Sequence, residues 1–390
     1  MRNVKTNSKT IFNIITITIF SLLILTAAAA GVYDYLIPDS IVIFNDESVA
    51  AAINVPFVTA TENDVRIFGA IPLKNISVST IDRIKLYPGG MPFGVKFQTD
   101  GVLVVGISDI NGVNPAYEAG LRIKDIITHV NDTAVTAVEE VTGYIESSEG
   151  NELKFTVIRG NETLEVIIKP VYSEIDSTYK SGIWIRDSTA GIGTVTFINP
   201  VNNTFAGLGH GICDIDTGEL MPMLKAYVYN AEINGVNKGH PGSPGELKGY
   251  FNAEKIGALI GNTNAGVYGT LLTPPPSPAD TPLPIALRKD IHEGNAYIYC
   301  VIDENPPRKY SVDIIKINQN SDDLKNFIVK ITDPALLEVT GGIVQGMSGS
   351  PVIQDDRLIG AVTHVLINDP AKGYGIFIEN MLMNMPETQS

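Results

Sequence analysis

An uncharged apolar run from Ile11 to Gly31, preceded by Arg2, Lys5 and Lys9, constrains this 390-residue chain before any other feature does. In hydrocarbon every backbone N–H and C=O must be satisfied within the segment, so such a run crosses only as a helix. About 20 apolar residues suffice for the crossing. Basic residues ahead of the run predict a cytoplasmic start with everything after it exported. Ala27 to Ala30 also resembles a signal-peptidase site, but the run exceeds the usual h-region of about 7 to 15 residues, which favours an uncleaved anchor. Both readings place the body of the chain outside the cytoplasm. Over the whole chain, 28 basic residues against 43 acidic ones give a formal charge of -15. With no basic stripe to neutralise phosphates, nucleic acid is not an expected partner.

Only Cys213 and Cys300 are present, which excludes a disulfide-dense scaffold and a four-cysteine zinc site. Two lone cysteines serve more often as small buried hydrophobes than as a bridge. His210, Cys213 and Asp214 lie close in sequence but lack a partner cluster, so no metal and no cofactor is expected.

The text divides the chain into residues 1–31 (start and anchor or signal), 32–81, 82–172 and 182–390. In 32–81, short runs at Ile41 to Phe44, Val49 to Val55 and Val65 to Ile71 predict a β-rich spacer. Residues 82–172 read as two strands, a small helix, a strand, a helix and two strands. From Gly182 onward short strands and turns predominate, which argues for a sandwich or barrel. Ile192 to Ile198 and Thr204 to Leu208 flank the turn Asn199 to Asn203 and predict a hairpin. Thr273 to Pro278 contains four prolines and cannot lie in a central strand.

Within 82–172, Pro88-Gly-Gly-Met-Pro-Phe-Gly-Val-Lys-Phe97 leads to Gly101-Val-Leu-Val-Val-Gly106, Asn114-Pro-Ala-Tyr-Glu-Ala-Gly120 and Leu121-Arg-Ile-Lys-Asp-Ile-Ile127, with the turn His129 to Asp132. This order resembles bacterial PDZ domains, with Lys124 where a glycine usually precedes the aspartate. Such a domain binds an extended peptide as an added strand. The resemblance places the carboxylate-capturing loop at Pro92, Phe93, Gly94 and Val95, with Gly94 allowing close approach of the ligand.

Gly341-Gly-Ile-Val-Gln-Gly-Met-Ser-Gly-Ser-Pro351 carries the chemistry. Glycines two before and one after a serine bend the chain tightly, letting the N–H groups of Gly346 and Ser348 converge as an oxyanion hole. This string resembles the nucleophile loop of trypsin-like peptidases, and the order after it fits as well: Pro351 to Gln354, Ile359 to Val365, a loop at Asn368 to Lys372, Tyr374 to Ile378, and a helix from Glu379. Aligning Gly346 with the oxyanion glycine selects Ser348 over Ser350 as nucleophile. Met347 replaces the aspartate that pairs with a new amino terminus in zymogens, so activation should not need that salt bridge. Thr363, His364 and Val365 fall on the strand that should pair with substrate.

A serine hydroxyl needs a base. His210, in Phe205-Ala-Gly-Leu-Gly-His-Gly-Ile-Cys213, stands at the end of a small-residue strand with glycines on both sides. His129, His240 and His292 lie in polar text where solvent exposure is expected, and His364 should line the substrate pocket. For the acid that holds the histidine tautomer, family resemblance favours Asp333; spacing does not choose it, and Asp214 and Asp216 stay open.

Taken together, the text resembles the stage IV sporulation protein B peptidases of endospore-forming bacteria, across the anchor, the PDZ-like segment, Gly207 to Thr217 and nearly all of Lys330 to Leu382. That resemblance implies a mainly β chain with an N-terminal transmembrane helix, an α+β PDZ-like domain and a trypsin-like double β-barrel. It implies catalysis by His210, Asp333 and Ser348, self-cleavage, cleavage of a partner protein in or near the same membrane, and a peptide ligand for the PDZ-like domain. The cut would activate intramembrane processing of a late sigma-factor precursor, with the peptidase between forespore and mother-cell membranes. A catalytically dead PDZ scaffold and a general envelope-quality protease are the competing expectations.

Overall fold

The computed structural model describes residues 8–53, 55–61, 64–221, 223, 225–319 and 324–387. Arg2 and Lys5 lie outside the described residues. Two compact units form, one from residues 1–83 with 287–290 and 319–322, the other from the remainder.

In the first unit, the helix Ser8–Leu36 contains a stretch, Phe12–Asp34, long and apolar enough to cross a membrane. After it, the parallel pair Ser40–Phe44 and Ser77–Ile81 and three short antiparallel strands surround a small core of Ile37, Ile41, Ile43, Val49, Ile53, Val65 and Ile76. One expectation fails locally. Val49–Ala52 is a helical turn, because Ser48 accepts a bond from Ala51 N and so caps it.

The second unit is built on two six-stranded barrels. The C-terminal barrel closes from six strands in nearly consecutive sequence: Gly294–Cys300, Arg308–Ile317, Phe327–Ile331, Lys372–Phe377, Arg357–Val365 and Pro351–Gln354. β-branched and aromatic residues alternate inward in these strands, and Ile298, Val312, Val329, Val352, Val362 and Phe377 fill the interior. The turn Asp355–Asp356 has both residues at positive φ, the geometry of a two-residue hairpin loop.

The N-terminal barrel closes through residues 92–97, Lys225–Asn237, Glu246–Thr263, Gly266–Leu271, Thr204–Gly207 and residues 192–198, the last pairing back to 92–97. The hairpin expected around Asn199 to Asn203 is present, with Asn203 at φ 57 and Asn199 N donating to Thr204 O.

Two long strands leave this barrel. Pro92–Ile107 and Ile183–Ile198 pair antiparallel over their length, from Thr194↔Pro92 to Ile183↔Ile107. Their far halves enter a separate α+β body with strands Ile126–Val130, Leu153–Arg159 and Glu162–Ile168 and helices Pro115–Glu118 and Val138–Glu146. That body packs around Val102, Val104, Leu121, Ile127, Val141 and Phe155. The PDZ-like body is therefore an insertion within the first barrel. The expected boundary between 82–172 and 182–390 is corrected accordingly, since residues 92–97 complete the barrel that the later segment begins.

Inside the body, Arg159 holds the buried Asp125 through two bonds of 2.7 Å. Lys124, standing where related domains carry glycine, adopts φ 79, a conformation that costs a non-glycine residue about 1–2 kcal/mol.

Candidate active site

His210 follows the strand Thr204–Gly207 through a tight reversal in which Leu208 (φ 67) and Gly209 (φ 68) are both left-handed. A leucine in that region is strained, and it is held there from outside, since Leu208 N donates to Thr194 O at 3.2 Å. Gly211 is a glycine for a packing reason: a Cβ would stand 2.2 Å from Leu220 Cδ1 and 2.7 Å from Thr263 O. The chain thus turns His210 into a cleft of about 510 Å3 that it shares with Gly346 and Ser348.

His210 Nδ1 lies 2.9 Å from Gly211 O. A carbonyl can only accept, so this contact places the proton on Nδ1 and leaves the Nε2 lone pair free, the tautomer a general base requires. Burial lowers the His210 pKa from its ordinary value, with the Gly211 carbonyl opposing the shift. The ring of His364 stacks against it at 4.7 Å between centroids. Packing around His364, and the neighbouring His210, push the His364 pKa down to about 4.

Across the cleft, the nucleophile loop is fixed carbonyl by carbonyl. Gln345 O accepts from Leu247 N (2.8 Å), and Met347 O accepts from both Ser350 N (3.0 Å) and Ser350 Oγ (2.7 Å). In a trans peptide the N–H points opposite its carbonyl. Pinning these two carbonyls therefore aims the N–H groups of Gly346 and Ser348, neither of which donates to a protein acceptor among the described residues. Gly346 and Gly349 both sit at φ 96. At Gly349 a Cβ would stand 2.0 Å from Thr194 O, so no larger residue fits.

Burial also separates the two serines. Ser350 is wholly buried and bonded to Met347 O, whereas Ser348 reaches the cleft. In this resting arrangement Ser348 Oγ donates to Thr363 O at 2.5 Å, so the substrate strand and not His210 holds its proton. Thr363 is buried, the His364 ring lies against His210 with part of the residue open to solvent, and Val365 packs partly against the C-terminal core.

Thr194 was not legible as a functional residue. Its N–H donates to Ser348 O (3.0 Å), its Oγ1 to Gly346 O (2.7 Å), and its carbonyl accepts from Leu208 N. One residue of the strand Ile183–Ile198 thus joins the nucleophile loop to the histidine loop. Thr196 adds a bond from Oγ1 to Gly349 O at 2.8 Å. The only hint in the sequence is the two alternating threonines in the otherwise apolar and glycine stretch 190–198.

Several expected roles change. Asp333 caps the helix Pro334–Thr340, Oδ1 accepting from Ala335 N and Leu336 N and Oδ2 from Ser311 N. Its oxygens are engaged by backbone donors, and no bond reaches His210. Asp214 and Asp216 are paired with Arg186. Burial alone would raise the Asp214 pKa, but bonds from Thr217 and Arg186 outweigh it and hold it below the ordinary value. Among the described residues the Gly211 carbonyl is the hydrogen-bonding partner of the His210 ring.

Pro92, Phe93, Gly94 and Val95 do not form a ligand loop. They are barrel strand, paired on both sides with 191–194 and 228–230, with Phe93 and Val95 in the core. Gly94 is needed because a Cβ would stand 2.5 Å from the Phe251 ring. Cys213 and Cys300 are both free thiols, raised in pKa by burial. His240 and His292 are exposed, while His129 is half-buried.

Two closed barrels with a serine and a histidine loop meeting at one cleft, paired N–H donors beside the serine, and a PDZ-like insertion define a serine peptidase of trypsin-like architecture. A PDZ domain model matches residues 89–169. The model of the SpoIVB peptidase S55 family matches residues 177–382, over half of the chain, and the protein belongs to that family.

Over 78 residues the chain is 36% identical to a probable CtpA-like serine protease of Staphylococcus aureus, a stretch covering 20% of this chain and 16% of that protein. Among solved structures, the PDZ domain of an SdrC-like protein from Listeria monocytogenes is 26% identical (TM-score 0.20; 22% of this chain, 87% of that one). The active form of the Rv3671c protease from M. tuberculosis is 14% identical (TM-score 0.31; 52% and 76%).

Proposed function

We propose that the protein is a membrane-tethered serine endopeptidase in which Ser348 is the nucleophile and His210 the base. The carrying observation is that both side chains line one cleft beside two uncommitted N–H groups. Ser348 Oγ rotates from Thr363 O toward Nε2 of His210 and gives it a proton while attacking the peptide carbonyl. The tetrahedral oxyanion lodges on Gly346 N and Ser348 N. His210 then protonates the leaving amine, and water releases the acyl-enzyme by the reverse proton path. Gly211 O, where related triads use a carboxylate, keeps the tautomer and partly stabilises the imidazolium.

The apolar helix supports a tether, which raises the effective concentration of substrates on the same membrane. Membership of the family supports the finer reading: an exported body between forespore and mother-cell membranes, self-cleavage, and a cut in a partner membrane protein that activates intramembrane processing of a late sigma-factor precursor. The PDZ-like body supplies a peptide site for that traffic.

Full-length protein in lipid vesicles tests this: one or two self-cleavage products are expected from the wild type and none from Ser348→Ala. In a spore-forming host, Ser348→Ala should leave the sigma-factor precursor unprocessed. Products from Ser348→Ala vesicles would overturn the catalytic assignment, and degradation of many unfolded proteins at many sites would favour a quality-control protease.

A further inference from the structure

The cleft beside Ser348 lies to one side of it. Among the described residues that line the cleft, none comes from Arg357–Val365, the strand expected to pair with substrate ahead of the scissile bond. Its walls are the histidine loop, residues 190–193 and the turn Gln345–Gly346. The amine that leaves must take its proton from His210. The chain that follows the scissile bond therefore enters this compartment.

The two sides of Ser348 offer different room. On the leaving side, a volume of about 510 Å3 is bordered by Phe93, Val95, Ile192, Leu208 and Ile212, with Ile215, 88% exposed, at the rim. The Asp214 carboxylate there is already bound by Arg186, so it does not select a basic residue. At Gly191 a Cβ would meet no atom within 4 Å, and that part of the wall is open. On the acyl side stands Ile343, only 2% exposed, with its N–H donating to Pro370 O at 2.7 Å. Its Cδ1 would lie 2.5 Å from a Cβ at Gly373, the residue paired with Val365. Ile343 and Val365 both pack with the C-terminal core, so a bulky side chain entering beside them must displace packed atoms.

The leaving side also presents backbone. Successive residues of a strand turn their N–H and C=O groups to opposite edges. Val195 N donates to Met91 O on one edge, and Thr194 O accepts from Leu208 N on the other. Ile192, two residues before Thr194, therefore turns its polar groups toward the cleft, short of residues 195–198 where pairing with Thr204–Gly207 begins. An extended chain beyond the scissile bond can pair there while its side chains meet the apolar wall.

From this geometry we infer that the peptidase chooses its cleavage site mainly by a large aliphatic or aromatic residue directly after the scissile bond, seated among Ile192, Leu208 and Ile212, and admits only a small residue directly before it. The inference rests on the peptidase reading and deepens it by naming the substrate class. Both conditions must be met at one bond, so cleavage is sparse.

Acyl transfer to added amines reads the leaving side alone. Full-length protein in lipid vesicles is acylated by the thiobenzyl ester of acetyl-Ala-Ala, which releases benzyl thiol. An amino-acid amide then attacks the acyl carbon: a C–N bond forms, the bond to Ser348 Oγ breaks, and the amine proton passes through His210 to Oγ. Peptide products are counted by mass spectrometry. At equal concentration, leucinamide and phenylalaninamide should each capture at least about 10-fold more acyl group than glycinamide or lysinamide, the ratio expected from burying a large apolar side chain. Ile215→Asp, a change at the exposed rim, should cut the leucinamide advantage about 3-fold and raise capture by lysinamide. Capture is a ratio of products from one acyl-enzyme, so it does not depend on how much protein is active. The thiobenzyl ester of acetyl-Ala-Phe should acylate at least about 10-fold more slowly than that of acetyl-Ala-Ala.

Equal capture by glycinamide and leucinamide overturns this inference alone. So does faster acylation by the phenylalanine ester, or labelling by a fluorophosphonate without acylation by either ester. Absence of fluorophosphonate labelling in every condition overturns the peptidase reading and this inference with it.

Discussion

The two barrels contribute to the cleft in different ways. The C-terminal barrel, made from uninterrupted chain, fixes the Met347 carbonyl from within through Ser350, buried beneath Ser348, while Leu247, Thr194 and Thr196 of the N-terminal barrel hold the carbonyls of Gln345, Gly346, Ser348 and Gly349. The N-terminal barrel is split by a whole α+β body, and it holds His210 by a strained Leu208–Gly209 turn that depends on Thr194. The Ser348 loop is thus held from both barrels, and the His210 turn from the strand Ile183–Ile198, which continues into the inserted body.

The contrast is broken most severely on the serine side. Ser350→Ala removes one of the two bonds on the Met347 carbonyl and leaves that from Ser350 N, so the aim of Ser348 N is loosened and kcat should fall about 10-fold with little change in KM. Ser350→Thr should restore it if the methyl is accommodated. A raised KM with kcat unchanged, measured by steady-state cleavage, would mean that Ser350 supports substrate binding instead.

On the histidine side, burial lowers the His210 pKa, so the neutral base persists below its ordinary value of 6.5. The acid limb of kcat/KM should have its midpoint below 6.5. The sign for stability follows from the same shift. The unfolded chain takes protons on these histidines near 6.5, while folded His364 resists until about 4. The unfolded state therefore binds more protons in that window, and stability rises with pH across it. A rate profile rising only above 6.5 would show that a nearby carboxylate is acting on His210.

The smallest effect concerns Asp333. Asn is as good a helix cap as Asp, so Asp333→Asn should keep activity within about 3-fold, whereas Asp333→Ala should lose about 1 kcal/mol of stability. Chemical denaturation and cleavage assays on the pair check this. A large activity loss in a stable Asp333→Asn protein would return the carboxylate to the catalytic set.

How much could be read in advance follows the same division. The Gly346 to Ser350 loop and the strands after it are consecutive in sequence, so glycine spacing and strand order carried the C-terminal half and selected Ser348. The His210 turn was also local, flagged by its glycines. Closure of the first barrel depends on residues 92–97 meeting 192–198 across an inserted body, and no short-range pattern encodes that pairing. Gly94 looked like a ligand-binding glycine because a glycine's text does not say whether a ligand or Phe251 needs the space. Asp333 followed by Pro334 is also a helix-start signal, and the structure uses it as one. Thr194 acts through backbone and hydroxyl bonds to loops over a dozen residues away, and its role appears only once those loops are in place.

The most direct test of the catalytic account is to map the fluorophosphonate adduct by mass spectrometry in wild-type, Ser348→Ala and His210→Ala proteins. An adduct on Ser348 alone, absent from Ser348→Ala and at least about 100-fold slower in His210→Ala, is expected. An adduct on Ser350, or wild-type labelling without His210, would contradict the assignment of nucleophile and base.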